Sequence, residues 1–422
     1  MKKYYERILD KKIERKLMGI GAVLIQGPKW CGKTTTGKNL SKSFIQLDNP
    51  KNRQQYQFIG DTDPEQLLIG ETPRLIDEWQ LIPNIWNTVR HCVDERQEFN
   101  QFILTGSSTP NDLPMGTHTG IGRIARITMR TMSLYESNDS NGQVSLKSCF
   151  EDKKIFGQNS LSLSDIAYLT CRGGWPQSIG LDKEISLNQT QKLCKSLIYD
   201  ENKAIIDRKI NKYKLNKFLK SFAKNITTQA NYQNYKNDLL NDITNLSSPT
   251  IASYIDYLKR IFVIEDSPAW NPNIRSKIAI RTSDTRYFVD PSIGTSALGL
   301  GPNDLLQDLN TFGLFFENLA IRDLRIYAQA LDGEVYHYRD KSNLECDAVI
   351  HLPNGKYGLI EIKLGGDNLI NQGCETLLKL ENKIDTNKMN KPAFKMVLVA
   401  IGDYAYQRDD GIYIVPIGCL KD

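Results

Sequence analysis

The chain has 422 residues, 40% hydrophobic and 24% charged, with a net charge of +5. That length predicts two or three domains with cores of their own, and the composition excludes a disordered or fibrous chain. Eight cysteines lie scattered without a CxxC pair, and four histidines stand far apart, which excludes a disulfide framework and argues against a zinc or histidine metal site. No apolar run is long enough to cross a bilayer and no secretory leader follows Met1, so the expected setting is a reducing cytoplasm, with no membrane partner.

In chain order, residues 1–18 predict a helix. "GAVLIQG", from Gly21 to Gly27, is a short apolar run bounded by glycine, the pattern of a buried strand. "SFIQLD", "RLIDEW" and "FILTGS" repeat it, with helical stretches near 33–42 and 86–98. Strands alternating with helices predict an α/β unit with a parallel sheet over residues 1–136. The Ser-, Asn- and Asp-rich stretch from Ser137 to Ser164 reads as a loop or partly ordered linker. Residues 160–300 read as a mainly helical connector, ending in a helix capped near Ser248 and then a strand. Within it Lys203, Arg208, Lys209, Lys212, Lys214, Lys217, Lys220 and Lys224 stand against one acid, Asp207; this run is either a phosphate-contacting surface or a solvated helix face. Residues 306–422 predict a mixed α/β unit: a helix from Phe312, strands at "EVYHYR", "CDAVIHL" and "KYGLIEIKL", a helix around Cys374–Asn382, then strands at "KMVLVAIG" and "GIYIVPIG".

Gly27-Pro28-Lys29-Trp30-Cys31-Gly32-Lys33-Thr34 fits GxxxxGK[ST] between a strand and a helix. Backbone N–H groups of such a loop cradle phosphate oxygens, and Thr35 extends the set. Lys33 would reach the β- and γ-phosphates, and the Thr34 hydroxyl would hold Mg²⁺. Asp77, ending an apolar strand, would hold Mg²⁺ and Glu78 would polarise the attacking water; alternatively the pair caps the following helix. Thr105 or Ser107, at the end of a neighbouring strand, would sense the γ-phosphate, or simply make a turn. Arg123 and Arg126 in "GIGRIARITMR" would serve the nucleotide of a neighbouring subunit in a homo-oligomer, or lie on a solvated strand edge.

At the other end, Glu361 and Lys363 in "YGLIEIKLGG" are two apart and share one face of a strand. Asp347 lies one hairpin strand earlier, across the "LPNG" turn. Asp347 and Glu361 could share one Mg²⁺ through oxygen ligands, with Glu317 adding a carboxylate from a helix. Lys363 could position water or stabilise charge on a phosphate. Alternatively, the charges mark a half-wet strand.

The order of nucleotide motifs resembles the AAA-type ATPases. "TMSLYES", "CRGGWPQSI", "TIASYIDYL", "PAWNPNIRSK" and "YFVDPSI" sharpen this to a resemblance to prokaryotic ATPases that end in domain of unknown function 4143. Helix-Glu, strand-Asp and strand-Glu-x-Lys resemble the PD-(D/E)xK nucleases. The resemblance implies three parts: a P-loop AAA-type parallel-sheet domain, a helical winged-helix connector, and a C-terminal nuclease-like domain. It implies an ATP-binding, Mg²⁺-dependent ATPase that binds or acts on DNA, with a metal-dependent nuclease domain. The alternative is an ATP-gated DNA-binding or signalling switch whose nuclease-like domain is inactive. The winged helix would fall over 245–279, with Ser253, Tyr254, Tyr257 and Lys259 among its readers. Gly173-Gly174-Trp175-Pro176 is expected to be a packed turn around a buried Trp.

Overall fold

The computed structural model describes residues 4–106, 120–199, 211–239, 247–272, 283–387 and 389–422. Two compact units appear: the first is chiefly Met1–Thr131, the second Met132–Asp200, Arg208–Lys259 and Val263–Asp422.

In the first unit α1 (Ile8–Leu17), β1 (Ala22–Gln26), α2 (Lys33–Leu40), β2 (Ser43–Gln46), α3 (Arg53–Thr62), β3 (Arg74–Asp77), α4 (Asn84–Arg96), β4 (Phe102–Gly106) and β5 (Ile124–Thr128) follow in order. The sheet runs β2-β3-β4-β1-β5, and every pairing is parallel. A parallel sheet is covered on both faces, so its central strands read as unbroken apolar runs. Alternate residues feed two cores. Ala22, Leu24, Ile76 and Leu104 pack with Trp86 and Val89 of α4; Val23, Ile25, Leu75 and Ile103 pack with Leu9, Ile13 and Leu17 of α1.

The second unit contains β6 (Val144–Ser145), α5 (Leu146–Phe150), β7 (Gly157–Gln158), α6 (Leu163–Arg172), α7 (Lys183–Tyr199), α8 (Lys212–Lys224), α9 (Tyr232–Leu239), α10 (Ser248–Arg260), α11 (Pro291–Leu298), α12 (Pro302–Gln307) and α13 (Leu309–Ala330). There follow β8 (Glu334–Arg339), β9 (Glu345–His351), β10 (Tyr357–Lys363), α14 (Asp367–Lys383), β11 (Phe394–Val399), β12 (Tyr404–Gln407), β13 (Tyr413–Pro416) and β14 (Leu420–Lys421). Seven strands form a mixed sheet in the order β7-β12-β13-β11-β10-β9-β8, and β14 pairs with β6.

The Ser137–Ser164 stretch is therefore no linker. It supplies β6, α5 and β7 and pairs with strands more than 200 residues later. Its polar residues bond to those later segments: Ser140 Oγ donates to the Leu420 carbonyl at 2.8 Å and Asn159 Nδ2 to the Gly402 carbonyl at 3.0 Å. Leu146, Cys149 and Phe150 are buried anchors.

Helix α13 is buried nearly all round and carries a buried ionic cluster. Arg322 bonds Asp323 through Nε at 2.9 Å and Asp290 through Nη1 at 3.2 Å. Asp290 also accepts from the Gly174 N–H at 2.9 Å, and Asp323 from the Leu134 N–H at 3.0 Å. Gly173–Pro176 is a packed turn: Trp175 is fully buried and its Nε1 donates to Ser292 Oγ at 2.9 Å. A Cβ on Gly174 would lie 2.0 Å from the Met132 carbonyl oxygen, so glycine is required by space alone.

Helices α8, α9 and α10 pack through Phe218, Phe222, Tyr235 and Tyr254. After α10, Ile264 bridges to Phe288 and Ser267 to Thr285, both antiparallel. Of the expected readers, Tyr254 and Tyr257 are buried and Lys259 is paired with Asp266 at 2.7 Å; only Ser253 is exposed. The tyrosines share the apolar stripe of Ile251, Ile255 and Leu258, so core packing claims them. Lys203, Arg208 and Lys209 lie outside the described residues. Lys212, Lys220 and Lys224 are exposed along α8, whose other side buries Leu215, Phe218, Leu219 and Phe222. The eight cysteines are free and buried. Among the described residues, no helix is long and apolar enough to cross a membrane.

Candidate functional site

The loop between β1 and α2 is shaped by two glycines. Gly27 has φ +155° and Gly32 +109°, backbone that L side chains rarely adopt. A Cβ on Gly27 would sit 2.0 Å from the Met129 carbonyl oxygen. Pro28 and Cys31 are buried, Lys29 and Trp30 half-buried and Thr35 exposed. Lys33 is buried, and its Nζ donates to the carbonyls of Gly27 at 2.9 Å and Pro28 at 2.8 Å. The ammonium is thus held at the loop itself.

Asp77 lies at the C-terminal end of β3, in register with Thr105 of β4. One of its oxygens, Oδ1, accepts from the Thr34 hydroxyl at 2.8 Å and from the Thr105 hydroxyl. Gln46 Nε2 reaches the other at 3.3 Å. Glu78 follows with φ +56°, a strained conformation for a residue with a Cβ. It stands at the N-cap of the next turn but makes no capping hydrogen bond from its side chain; instead Gln80 Nε2 donates to it. Burial raises the Glu78 pKa above the usual carboxylate value, against the opposing pull of Lys33.

Arg123 is placed elsewhere. It precedes β5, which runs parallel to β1 with Ile124 beside Ala22, so five strand residues, about 16 Å, separate it from the loop. Its Nε donates to Asp94 Oδ1 at 2.6 Å. Arg123 is therefore remote from the loop of its own chain. Arg126 lies over the Trp86 ring, 5.6 Å from the centroid. Ser107 is outside the described residues. Sequence reasoning missed Arg7, which is buried and donates to the carbonyls of Cys31 at 2.9 Å and Arg130 at 2.9 Å. It also missed Tyr4, whose hydroxyl lies 3.0 Å from Thr36 Oγ1. An arginine in a charged helical segment gives no sequence signal for such a role.

In the second unit β9 and β10 form an antiparallel hairpin with Ile360 opposite Ala348. One step further, the Asp347 carboxylate rather than a backbone carbonyl accepts the Ile362 N–H, at 2.7 Å. Lys363 Nζ lies 2.7 Å from Glu361 Oε2 and 3.2 Å from Asp347 Oδ2. Glu361 is 4% exposed, and its Oε1 is buried with no hydrogen-bond partner. Burial, reinforced by Asp347, pushes the Glu361 carboxyl up to about 8, against Lys363. Burial works against the Lys363 ammonium, but Asp347 and Glu361 outweigh it and raise its pKa. Glu317 on α13 joins the group: burial and then Asp347 raise its carboxyl well above the ordinary value, and Tyr287 donates to its Oε1 at 2.7 Å. Glu317, Asp347 and Glu361 cluster around Lys363 less tightly than a ready-made cage. Among the described residues, the only ligand-type trio drawn within 4.8 Å is the exposed Glu65, His91 and Glu95.

The five-stranded parallel sheet and the glycine-shaped loop at the end of β1 define a P-loop nucleotide-binding domain. Residues 20–138 match the family model of an AAA domain, and residues 312–420 that of domain of unknown function 4143; the chain carries both. Residues 163–304 match domain of unknown function 8612. Uncharacterized proteins of Mycobacterium bovis and Mycobacterium tuberculosis are each 20% identical over 412 residues, covering 96% of this chain and 82% of theirs. Among solved structures, a Walker-type ATPase of Pyrococcus abyssi aligns with TM-score 0.45 at 14% identity, over 70% of this chain and 96% of its own. A signal transduction ATPase with numerous domains from Pyrococcus horikoshii aligns with TM-score 0.20 at 12% identity, over 78% and 50%. The AAA domain makes this an ATP-binding P-loop protein.

Proposed function

We propose that the chain hydrolyses ATP with Mg²⁺ at the Gly27–Thr35 loop and cleaves phosphodiester bonds of nucleic acid at the Asp347–Glu361–Lys363 cluster. The observation that carries the first half is the meeting of two strand-end and helix-start hydroxyls, Thr34 and Thr105, on one oxygen of Asp77. A carboxylate beside a threonine hydroxyl fits Mg²⁺, a hard ion that takes oxygen ligands and keeps waters. Thr34 and Asp77 would hold it, and when bound it neutralises charge on the phosphates. The residues supply the rest. Backbone N–H groups of residues 27–35 cradle phosphate, Lys33 moves from loop carbonyls to phosphate oxygens, and Glu78 holds the attacking water. The raised pKa of Glu78 suits a group that takes a proton during the reaction.

The second half rests on Glu361, whose buried Oε1 has no partner beside Asp347 and Lys363. A buried carboxylate oxygen left unpaired is costly, and a divalent cation held by Asp347 and Glu361 would satisfy it. Such an ion supplies a polarised phosphate oxygen; Lys363 orients water or stabilises developing charge. DNA is the nucleic-acid partner proposed, supported by the exposed lysines of α8 and by the helix-then-bridge order of α8 to Thr285, which fits a winged helix. An arginine acting on nucleotide would come from a second copy, because Arg123 precedes β5 at the far end of the sheet from its own loop and Arg126 lies in mid-strand beside Leu24, over the Trp86 ring. A cytoplasmic location is part of the proposal, supported by the free, buried cysteines.

The test places labelled single- and double-stranded DNA and RNA with the full chain, ATP, and Mg²⁺ or Mn²⁺. Wild type should release phosphate and cut at least one substrate; Glu361→Ala should stop the cutting while phosphate release continues. Phosphate release without cutting of any substrate would favour the other reading, an ATP-gated DNA-binding or signalling switch with an inactive C-terminal domain.

A further inference from the structure

The carboxylate cluster opens on a cleft of about 270 Å³. One wall contains Glu317, Asp347 and Arg339. The other is the turn Thr227-Thr228-Gln229, which lies between α8 and α9 in the region matched by a different family model. This turn is built with unusual care for a connection. Thr227 has φ +60°, and a β-branched residue in the left-handed region stores backbone strain. The strain is held by pairing with the bridged segment 285–288. The Thr227 N–H donates to the Arg286 carbonyl at 2.8 Å, and the Arg286 N–H donates to the Thr228 carbonyl at 3.1 Å. Thr227 Oγ1 is nevertheless buried with no hydrogen-bond partner.

Gln229 is oriented just as firmly. His337 is 4% exposed, and its Nδ1 lies 2.9 Å from the Ser267 carbonyl. A carbonyl only accepts, so Nδ1 carries the proton and Nε2 is an acceptor. Gln229 Nε2 lies 2.9 Å from that Nε2 and must be its donor. The amide is thereby fixed with its NH₂ toward His337 and its oxygen outside that pair. Tyr287, from the same matched region, donates to Glu317 Oε1. The carboxylate site is thus completed by residues from outside the domain that carries it.

We propose that the Thr227–Gln229 turn is the substrate-selecting wall of the carboxylate site, and that the cleft takes one unpaired nucleotide of a single strand. This deepens the phosphodiester reading and rests on it. The phosphate lies beside Glu317 and Asp347; the sugar or base edge meets the Thr227 hydroxyl and the Gln229 amide. The volume falls just below the usual range of small-ligand sites, roughly 300–1,000 Å³, which suits a single sugar or base and is too small for stacked base pairs. Neutral hydroxyl and amide groups read sugar and base edges, where basic side chains would only hold backbone. A rigidly oriented amide offers the donor and acceptor pattern that a base edge matches.

The experiment titrates a fluorescent single-stranded oligonucleotide into the full chain with Ca²⁺ in place of Mg²⁺, and repeats it with the matching blunt duplex. Gln229→Ala and Thr227→Val are compared with wild type, with circular dichroism as the control for fold. The expected result is a single-strand preference in wild type and a loss of about tenfold in single-strand affinity in each variant. If wild type binds single strand and both folded variants bind it equally well, the turn does not select substrate and the inference is overturned, while the phosphodiester reading stands. Preferential binding of the duplex overturns it as well. If wild type neither binds nor cuts any oligonucleotide, the phosphodiester reading itself falls and takes the inference with it.

Discussion

Replacing Arg322 by Met should destabilise the second unit severely. Arg322 is 1% exposed, and Asp290 and Asp323 are fully buried. The guanidinium spans both carboxylates, with Nε on Asp323 at 2.9 Å and Nη1 on Asp290 at 3.2 Å. Methionine matches the stem but leaves two buried carboxylates facing each other without a cation. Breaking a buried pair from one side costs about 3–5 kcal/mol, and this cluster loses two partners at once. The backbone N–H groups of Leu134 and Gly174 still donate to the two acids, which keeps the loss near the top of that range. For a unit of this size the midpoint of thermal unfolding should fall by roughly 6–20 °C. Arg322→Lys should rescue little, because one ammonium cannot span both acids with a planar fork. The assay is thermal and urea unfolding followed by tryptophan fluorescence, since Trp175 is tied to the same cluster through Ser292. A loss below about 1 kcal/mol, the range of an exposed pair, would refute the reasoning.

Glu78→Gln should leave ATP affinity intact and slow steady-state phosphate release by roughly 10²–10⁴-fold; an unchanged rate would remove Glu78 from the chemistry. His337 predicts a pH dependence. Burial lowers its pKa below the ordinary 6.5, so the unfolded chain takes up the proton first. Its contribution to stability is full above about pH 6.5 and is lost as the pH falls toward the folded value. Urea midpoints at pH 7.5 and 5.0 should therefore differ less in His337→Gln than in wild type, and equal differences would contradict the neutral assignment.

The parts legible in the sequence share a physical origin. Strands β1, β3 and β4 are covered on both faces, so they read as apolar runs between glycines and polar ends. Glu361 and Lys363 share a face by the two-residue period, and the turn after Leu352 places Asp347 opposite. What escaped depends on distant partners. Strands β6 and β7 are two residues long and exist through β14 and β12, far along the chain. Arg7, Tyr287, Gln229 and Thr227 gain meaning only from what packs against them. Tyr254 and Tyr257 are buried for a reason the sequence does contain: they fall on the same helical stripe as Ile251, Ile255 and Leu258.

The central claim, that residues 27–35 form a phosphate site, is tested most directly by calorimetric titration of Mg²⁺-ATP into wild type and Lys33→Ala. Lys33 is buried at the loop, and hydrogen bonds from a charged group are worth about 1.5–3 kcal/mol each. Wild type should bind, and the folded variant should lose on the order of 10²-fold or more in affinity. Unchanged affinity in Lys33→Ala would contradict the account.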